Sequence, residues 1–203
     1  MAETRFPGRM IRRFLLAALA FGSISLDYHG APDQYFTYFT ILTNLSIGVW
    51  FLAAALVPRL ADGASALRLA LTVYGLVTLS VYWIFLSPTH HPQGWSMVAN
   101  FGLHLVMPLA MALEDLLVPW PRLSKLAPLW CLVFPLVYCA FALVRGEVTG
   151  WYPYFFLDKA QLGGWIALTG FLIFLFAVFI ALAYGWRLAI HLRQGRDGKA
   201  TAP

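Results

Sequence analysis

Apolar residues arrive along this chain in runs of about twenty, the length a helix needs to cross a bilayer. The runs fall near residues 10–27, 35–57, 66–87, 95–117, 126–145 and 162–190. Between them lie short stretches that end helices: 27–33 with His29, Gly30 and Pro32, 58–63 with Pro58 and Gly63, 87–94 with Pro88, Pro92 and Gly94, 119–122 with Pro119 and Pro121, and 146–164 between two glycines. This pattern predicts an all-α polytopic membrane protein. Residues 1–192 form one bundle of six transmembrane helices, and the polar stretch 193–203 forms a disordered tail.

An even number of spans leaves both termini on one side, and the basic residues choose the side, because positive charge resists translocation. Twelve of the fourteen lysines and arginines collect together: Arg5, Arg9, Arg12, Arg13, Arg59, Arg68, Arg122, Lys125, Arg187, Arg193, Arg196 and Lys199. Arg145 and Lys159 fall opposite. Both termini are therefore predicted to be cytoplasmic. The first run follows four arginines as a signal peptide would, but no small-x-small site with a soluble domain behind it follows, so it is read as a retained helix.

Composition supports the same solvent. The chain is 61% hydrophobic and 11% charged, against about 25% charged in a soluble domain. The net charge of +5 could suit nucleic acid, but the basic residues stand at the ends of apolar runs and not along a polar face, so membrane lipids are the expected partners. Cys131 and Cys139 are eight residues apart in one run, too far along a helix to pair, and are read as packing or lipid-facing. His90 and His91 lack a nearby third ligand and are read as solvated. No metal and no cofactor is expected.

Polar residues deep in a span need a partner or a task. His104 lies about 15 Å into the fourth run, counted from Gly94 at 1.5 Å per residue. Pro108 removes the hydrogen bond to the carbonyl of residue 104 and predicts a kink at this polar centre. In the second run Thr37, Thr40, Thr43 and, less regularly, Asn44 share a helical face. Counted from Gln34, Thr40 is about 9 Å deep and Asn44 about 15 Å. Isolated threonines satisfy themselves on the preceding turn; Asn44 cannot. A histidine taking a hydroxyl proton makes a threonine nucleophilic, and an asparagine can orient the imidazole or donate to an oxyanion. A structural hydrogen bond between helices is the bland alternative. The aromatic stretch from Trp151 to Asp158, which includes Tyr154, reads as an interfacial belt or as a wall over a pocket mouth, with Asp158 capping the sixth helix. Glu114 and Asp115 end the fourth run at the cytoplasmic interface, where carboxylates need no special account.

Three segments, Tyr38-Phe39-Thr40-Ile41-Leu42-Thr43-Asn44-Leu45, His104-Leu105-Val106-Met107-Pro108 and Trp151-Tyr152-Pro153-Tyr154-Phe155-Phe156-Leu157-Asp158, resemble the androgen-induced-gene family of six-helix membrane proteins and its bacterial relatives, in matching order across most of the chain. The resemblance implies an intramembrane threonine hydrolase of fatty acid esters of hydroxy fatty acids or similar long-chain lipid esters, in a bacterial inner membrane, with Thr40 as nucleophile and His104 as general base. Asn44, Thr43, Asn100, Tyr154 and Asp158 are the candidate orienting or substrate-binding residues. The competing expectation is a non-catalytic protein that binds or transports a small amphiphile with the same polar centre.

Overall fold

A computed structural model describes residues 6–63, 65–120 and 123–200. Arg5 and Arg122, counted above for topology, lie outside the described residues, as do the side chains of Arg196 and Lys199 and residues 201–203. The regular structure is helical throughout, without strands among the described residues. Six long helices carry it: α1 (Phe6–Asp27), α2 (Phe39–Leu56), α3 (Ser65–Leu86), α4 (Trp95–Leu117), α5 (Ala127–Thr149) and α6 (Trp165–Ala200). Those from α2 to α6 are each long and apolar enough to cross a membrane. In hydrocarbon only a helix or closed barrel satisfies its own backbone, so the chain is a multi-pass α-helical membrane protein.

The helix α1 differs from these five because Arg9, Arg12 and Arg13 interrupt its apolar character. It nonetheless packs against α2 and α4, and its arginines are not simply topology signals. Arg12 and Arg13 both pair with Glu114 of α4, Arg13 at 2.8 Å, and Arg13 Nη1 also donates to the carbonyl of Ala54 in α2 at 2.8 Å. Beside this pair, Arg68 of α3 donates to Asp115 of α4 at 3.2 Å and lies 4.1 Å over the Trp120 ring, while the Thr72 hydroxyl donates to the other carboxylate oxygen. Glu114 and Asp115 are 3% and 0% exposed. They are not interfacial carboxylates, as their position in the sequence suggests, but the buried acceptors that tie four helices together.

One further expectation changes. The helix α6 continues to Ala200 instead of stopping near residue 190, so the backbone of 193–200 is helical where a disordered tail is predicted. Gln194 anchors the extension by donating to the carbonyl of Trp120 at 2.7 Å. Cys131 and Cys139 are buried free thiols inside the main core. That core is aromatic at its centre, where Phe39, Tyr74, Phe134, Tyr138 and Phe179 meet.

Gly102 lets α1 approach the polar stretch of α4. A Cβ at this position would stand 2.1 Å from Ser23 Oγ and 2.9 Å from Ser23 Cβ, so the helices would have to separate. Gly102→Ala is expected to cost about 1–3 kcal/mol, the usual range for overpacking. A melting temperature in detergent equal to that of the parent protein would contradict this.

Candidate functional site

The site forms where the first turn of α2 meets the middle of α4, and local backbone chemistry brings both there. The helix α2 starts at Phe39, four residues later than predicted. Before it, Pro32–Tyr35 makes a single helical turn and the Thr37 hydroxyl donates to the carbonyl of Gln34 at 2.6 Å, which closes the entry turn. Thr40 therefore sits in the first turn of α2, where backbone N–H groups have no partner within the helix. The phenol of Tyr154 supplies one: the Thr40 N–H donates to Tyr154 Oη at 3.2 Å.

In α4 the predicted kink takes a specific form. Residues Gly102–Val106 make a π-helical turn with His104 at its centre, and the Met107 N–H donates to the carbonyl of Gly102. In that five-residue register the partner of the Leu103 carbonyl is residue 108, a proline without an N–H. The Leu103 carbonyl is thus left without a backbone donor. Asn44 supplies one: its Nδ2 donates to the Leu103 carbonyl at 3.0 Å and to the Thr40 carbonyl at 2.9 Å. One amide, 0% exposed, links the backbone of Thr40 to the residue before His104. It touches neither the hydroxyl nor the imidazole.

Thr40 Oγ1 lies 3.3 Å from His104 Nε2. On the other side of the ring, His104 Nδ1 is 3.2 Å from the carbonyl of Asn100. A carbonyl only accepts, so in the neutral imidazole the proton belongs on Nδ1 and the lone pair of Nε2 faces the threonine hydroxyl. Tyr154 Oη completes the group at 3.4 Å from Thr40 Oγ1. Burial pushes the Tyr154 phenol up to about 12, so it stays protonated and can donate while accepting from the Thr40 N–H. Both Thr40 and His104 are 8% exposed.

Tyr82 is a member of the site that the sequence reading misses. It begins a second π-helical turn, Tyr82–Leu86 in α3, and its ring stacks on His104 with centroids 3.9 Å apart and planes at 26°. Asn100 Nδ2 donates to Tyr82 Oη at 2.7 Å, which leaves the phenol proton for His90 Nδ1 at 3.3 Å. His90 is exposed, yet it belongs to this chain of contacts and is not simply solvated. A tyrosine within a dozen residues of a span end passes in sequence for part of an aromatic belt.

The other sequence candidates are placed elsewhere. The Thr43 hydroxyl is fully buried with no hydrogen-bond partner among the described residues, and that of Thr37 is engaged on Gln34. Of the three threonines, Thr40 is the one within reach of His104. Asp158 caps the one-turn helix Lys159–Leu162 through the Ala160 N–H at 2.8 Å. It does not cap α6, because Gly163 and Gly164, at φ 87° and 116°, break the chain between the two.

Two cavities meet at Thr40. The outer one, about 490 Å³, is walled by the 27–29, 89–96 and 153–155 loops and has Thr40, Asn100 and His104 at its floor. The inner one, about 40 Å³, runs between Val77, Val81, Leu175 and Phe179 and is almost wholly apolar. Thr40, Tyr82, Leu86 and Tyr154 border both. No family model, curated protein or solved structure matches this chain.

Proposed function

We propose that this protein is an intramembrane threonine hydrolase of lipid esters. The observation that carries the reading is the 3.3 Å contact between Thr40 Oγ1 and His104 Nε2, made by an imidazole whose other nitrogen is held on the Asn100 carbonyl. This is the relation a nucleophile needs to its base: hydrogen-bond reach, with a third group fixing the tautomer. A purely structural histidine needs no open cavity beside its partner hydroxyl, whereas Thr40 and His104 both border the outer cavity.

In the reaction, Thr40 Oγ1 attacks the ester carbonyl while its proton passes to His104 Nε2. The same nitrogen returns the proton to the departing alcohol. Water admitted through the outer cavity then attacks the acyl-threonine, giving one proton to His104 and so to Thr40. The phenol of Tyr154, 3.4 Å from Thr40 Oγ1, is the donor best placed for the oxyanion, a role in which one hydrogen bond typically contributes 10²–10³ in rate.

Topology belongs to the same proposal. With α1 as a sixth span, Arg9, Arg59, Lys125 and Arg187 lie on one side of the membrane and the mouth of the outer cavity on the other. The positive-inside rule then makes the termini cytoplasmic and the site outward-facing, in the inner membrane if the host is bacterial. The resemblance to the androgen-induced-gene family favours the same reaction and span count.

Labelling tests the assignment directly. A fluorophosphonate probe is expected to modify the detergent-purified protein at Thr40, identified by peptide mass spectrometry. Thr40→Ala should abolish the adduct and Thr43→Ala should leave it. An adduct on Thr43 or Thr37, or none at all on protein that remains folded, would refute it.

A further inference from the structure

The hydrolase reading leaves the two halves of the ester unassigned, and the cavities assign them. His104 must protonate the departing alcohol, so the alcohol oxygen lies against Nε2. His104 borders the outer cavity and not the inner one, whereas Thr40 borders both. With the carbonyl carbon on Thr40 Oγ1, the alcohol half therefore points outward and the acyl half points into the inner pocket.

The two spaces differ by an order of magnitude. The outer cavity, at about 490 Å³, is lined at its rim by Asp27, His29, His90, Gln93 and Ser96, so it suits a large alcohol with a polar head. The inner pocket holds about 40 Å³. A single buried water needs roughly 10–15 Å³, so the pocket has space for about three heavy atoms beyond the carbonyl. Its walls are packed: Leu175 and Phe179 are 8% and 2% exposed and Val77 is 3% exposed, and Phe179 is wedged against Phe39 and Tyr74.

We propose that the enzyme is a short-chain deacylase, which removes an acyl group of about two to four carbons from a large polar-headed alcohol held in the outer cavity. The inference rests on the threonine-hydrolase reading and replaces its long-chain acyl group. The Thr40 Oγ1–acyl bond forms as the ester C–O bond breaks, the Thr40 proton leaves with the alcohol by way of His104, and water releases the short acid. No oxidant or cofactor enters the balance.

The test is a chain-length profile of the full-length protein in detergent, using 4-methylumbelliferyl esters from acetate to palmitate and subtracting the rate of Thr40→Ala. We expect kcat/KM for acetate to butyrate to exceed octanoate at least tenfold and palmitate at least a hundredfold. Leu175→Ala, which lengthens the pocket, should move the optimum to longer acyl chains; Val77→Phe, which shortens it, should lower butyrate about tenfold relative to acetate. A Thr40-dependent rate that rises toward palmitate would overturn the short-chain assignment and keep the hydrolase. Absence of Thr40-dependent turnover at every length would overturn both. If a pocket variant does not fold, the parent profile alone decides.

Discussion

His104→Ala is expected to lower kcat for ester cleavage about 10³-fold, within the 10²–10⁴ usual for a general base, with KM changed little. The near constancy of KM follows from the geometry. His104 acts on the proton of Thr40, 3.3 Å away, and on the alcohol oxygen as it leaves, so it contributes in the transition state more than in the ground state. Thr40→Ala should fall as far, and the double variant no further than the worse of the two, because a nucleophile and its base act as one unit. Truncating His104 also removes the ring that stacks on Tyr82 at 3.9 Å, so His104→Gln, closer in volume, separates chemistry from packing. If His104→Gln keeps most of the parent rate at an unchanged melting temperature, His104 is not the base.

The second large effect is on stability. Asp115→Leu removes the carboxylate that neutralises Arg68 in the buried half of the bundle, where both groups are at most 2% exposed. Removing one partner of such a pair typically costs about 3–5 kcal/mol, whereas replacing both with apolar residues of similar volume is often neutral or better. The expected result is thus a severe loss in Asp115→Leu and recovery of most of it in Arg68→Met/Asp115→Leu, read from reversible denaturation in mixed micelles. Part of the loss belongs to Thr72, whose hydroxyl donates to the same carboxylate, and to the Trp120 ring under the guanidinium. A single variant within 1 kcal/mol of the parent would contradict this account of the pair.

The positions of the helices were largely legible because hydrocarbon imposes length and apolarity on each span independently of its neighbours. The fourth run, predicted at 95–117, coincides with α4 at Trp95–Leu117. Pairing between spans is another matter. Arg12, Arg13 and Arg68 read in sequence as flanking charges, and Glu114 and Asp115 as interfacial carboxylates, since a one-dimensional count sees only the distance to a span end. Only three dimensions show that these residues answer one another. Counting along the spans puts Thr40, about 9 Å down, in the same half of the bundle as His104, about 15 Å down, even though α2 starts four residues later than the apolar run predicts. Asn44 stood out as unable to satisfy itself, but its acceptor, the Leu103 carbonyl, is freed by a π turn combined with Pro108, and no spacing rule encodes that combination. The reach of Tyr154 across to the Thr40 N–H depends on how the 150–158 segment folds inward, for which alternation and periodicity give no signal.

The π turn at Gly102–Val106 also has a bearing on how this chain is to be aligned with any relative. A π turn accommodates one residue more than the α-helix around it, so beyond Val106 the angular phase of α4 is offset by about 100°, the rotation of one α-helical residue. A relative lacking the extra residue would need its histidine one position away from this one to present the same nitrogen to the threonine. Single-residue gaps beside the fourth-span proline are therefore the changes to seek first, because there a shift in numbering conserves direction.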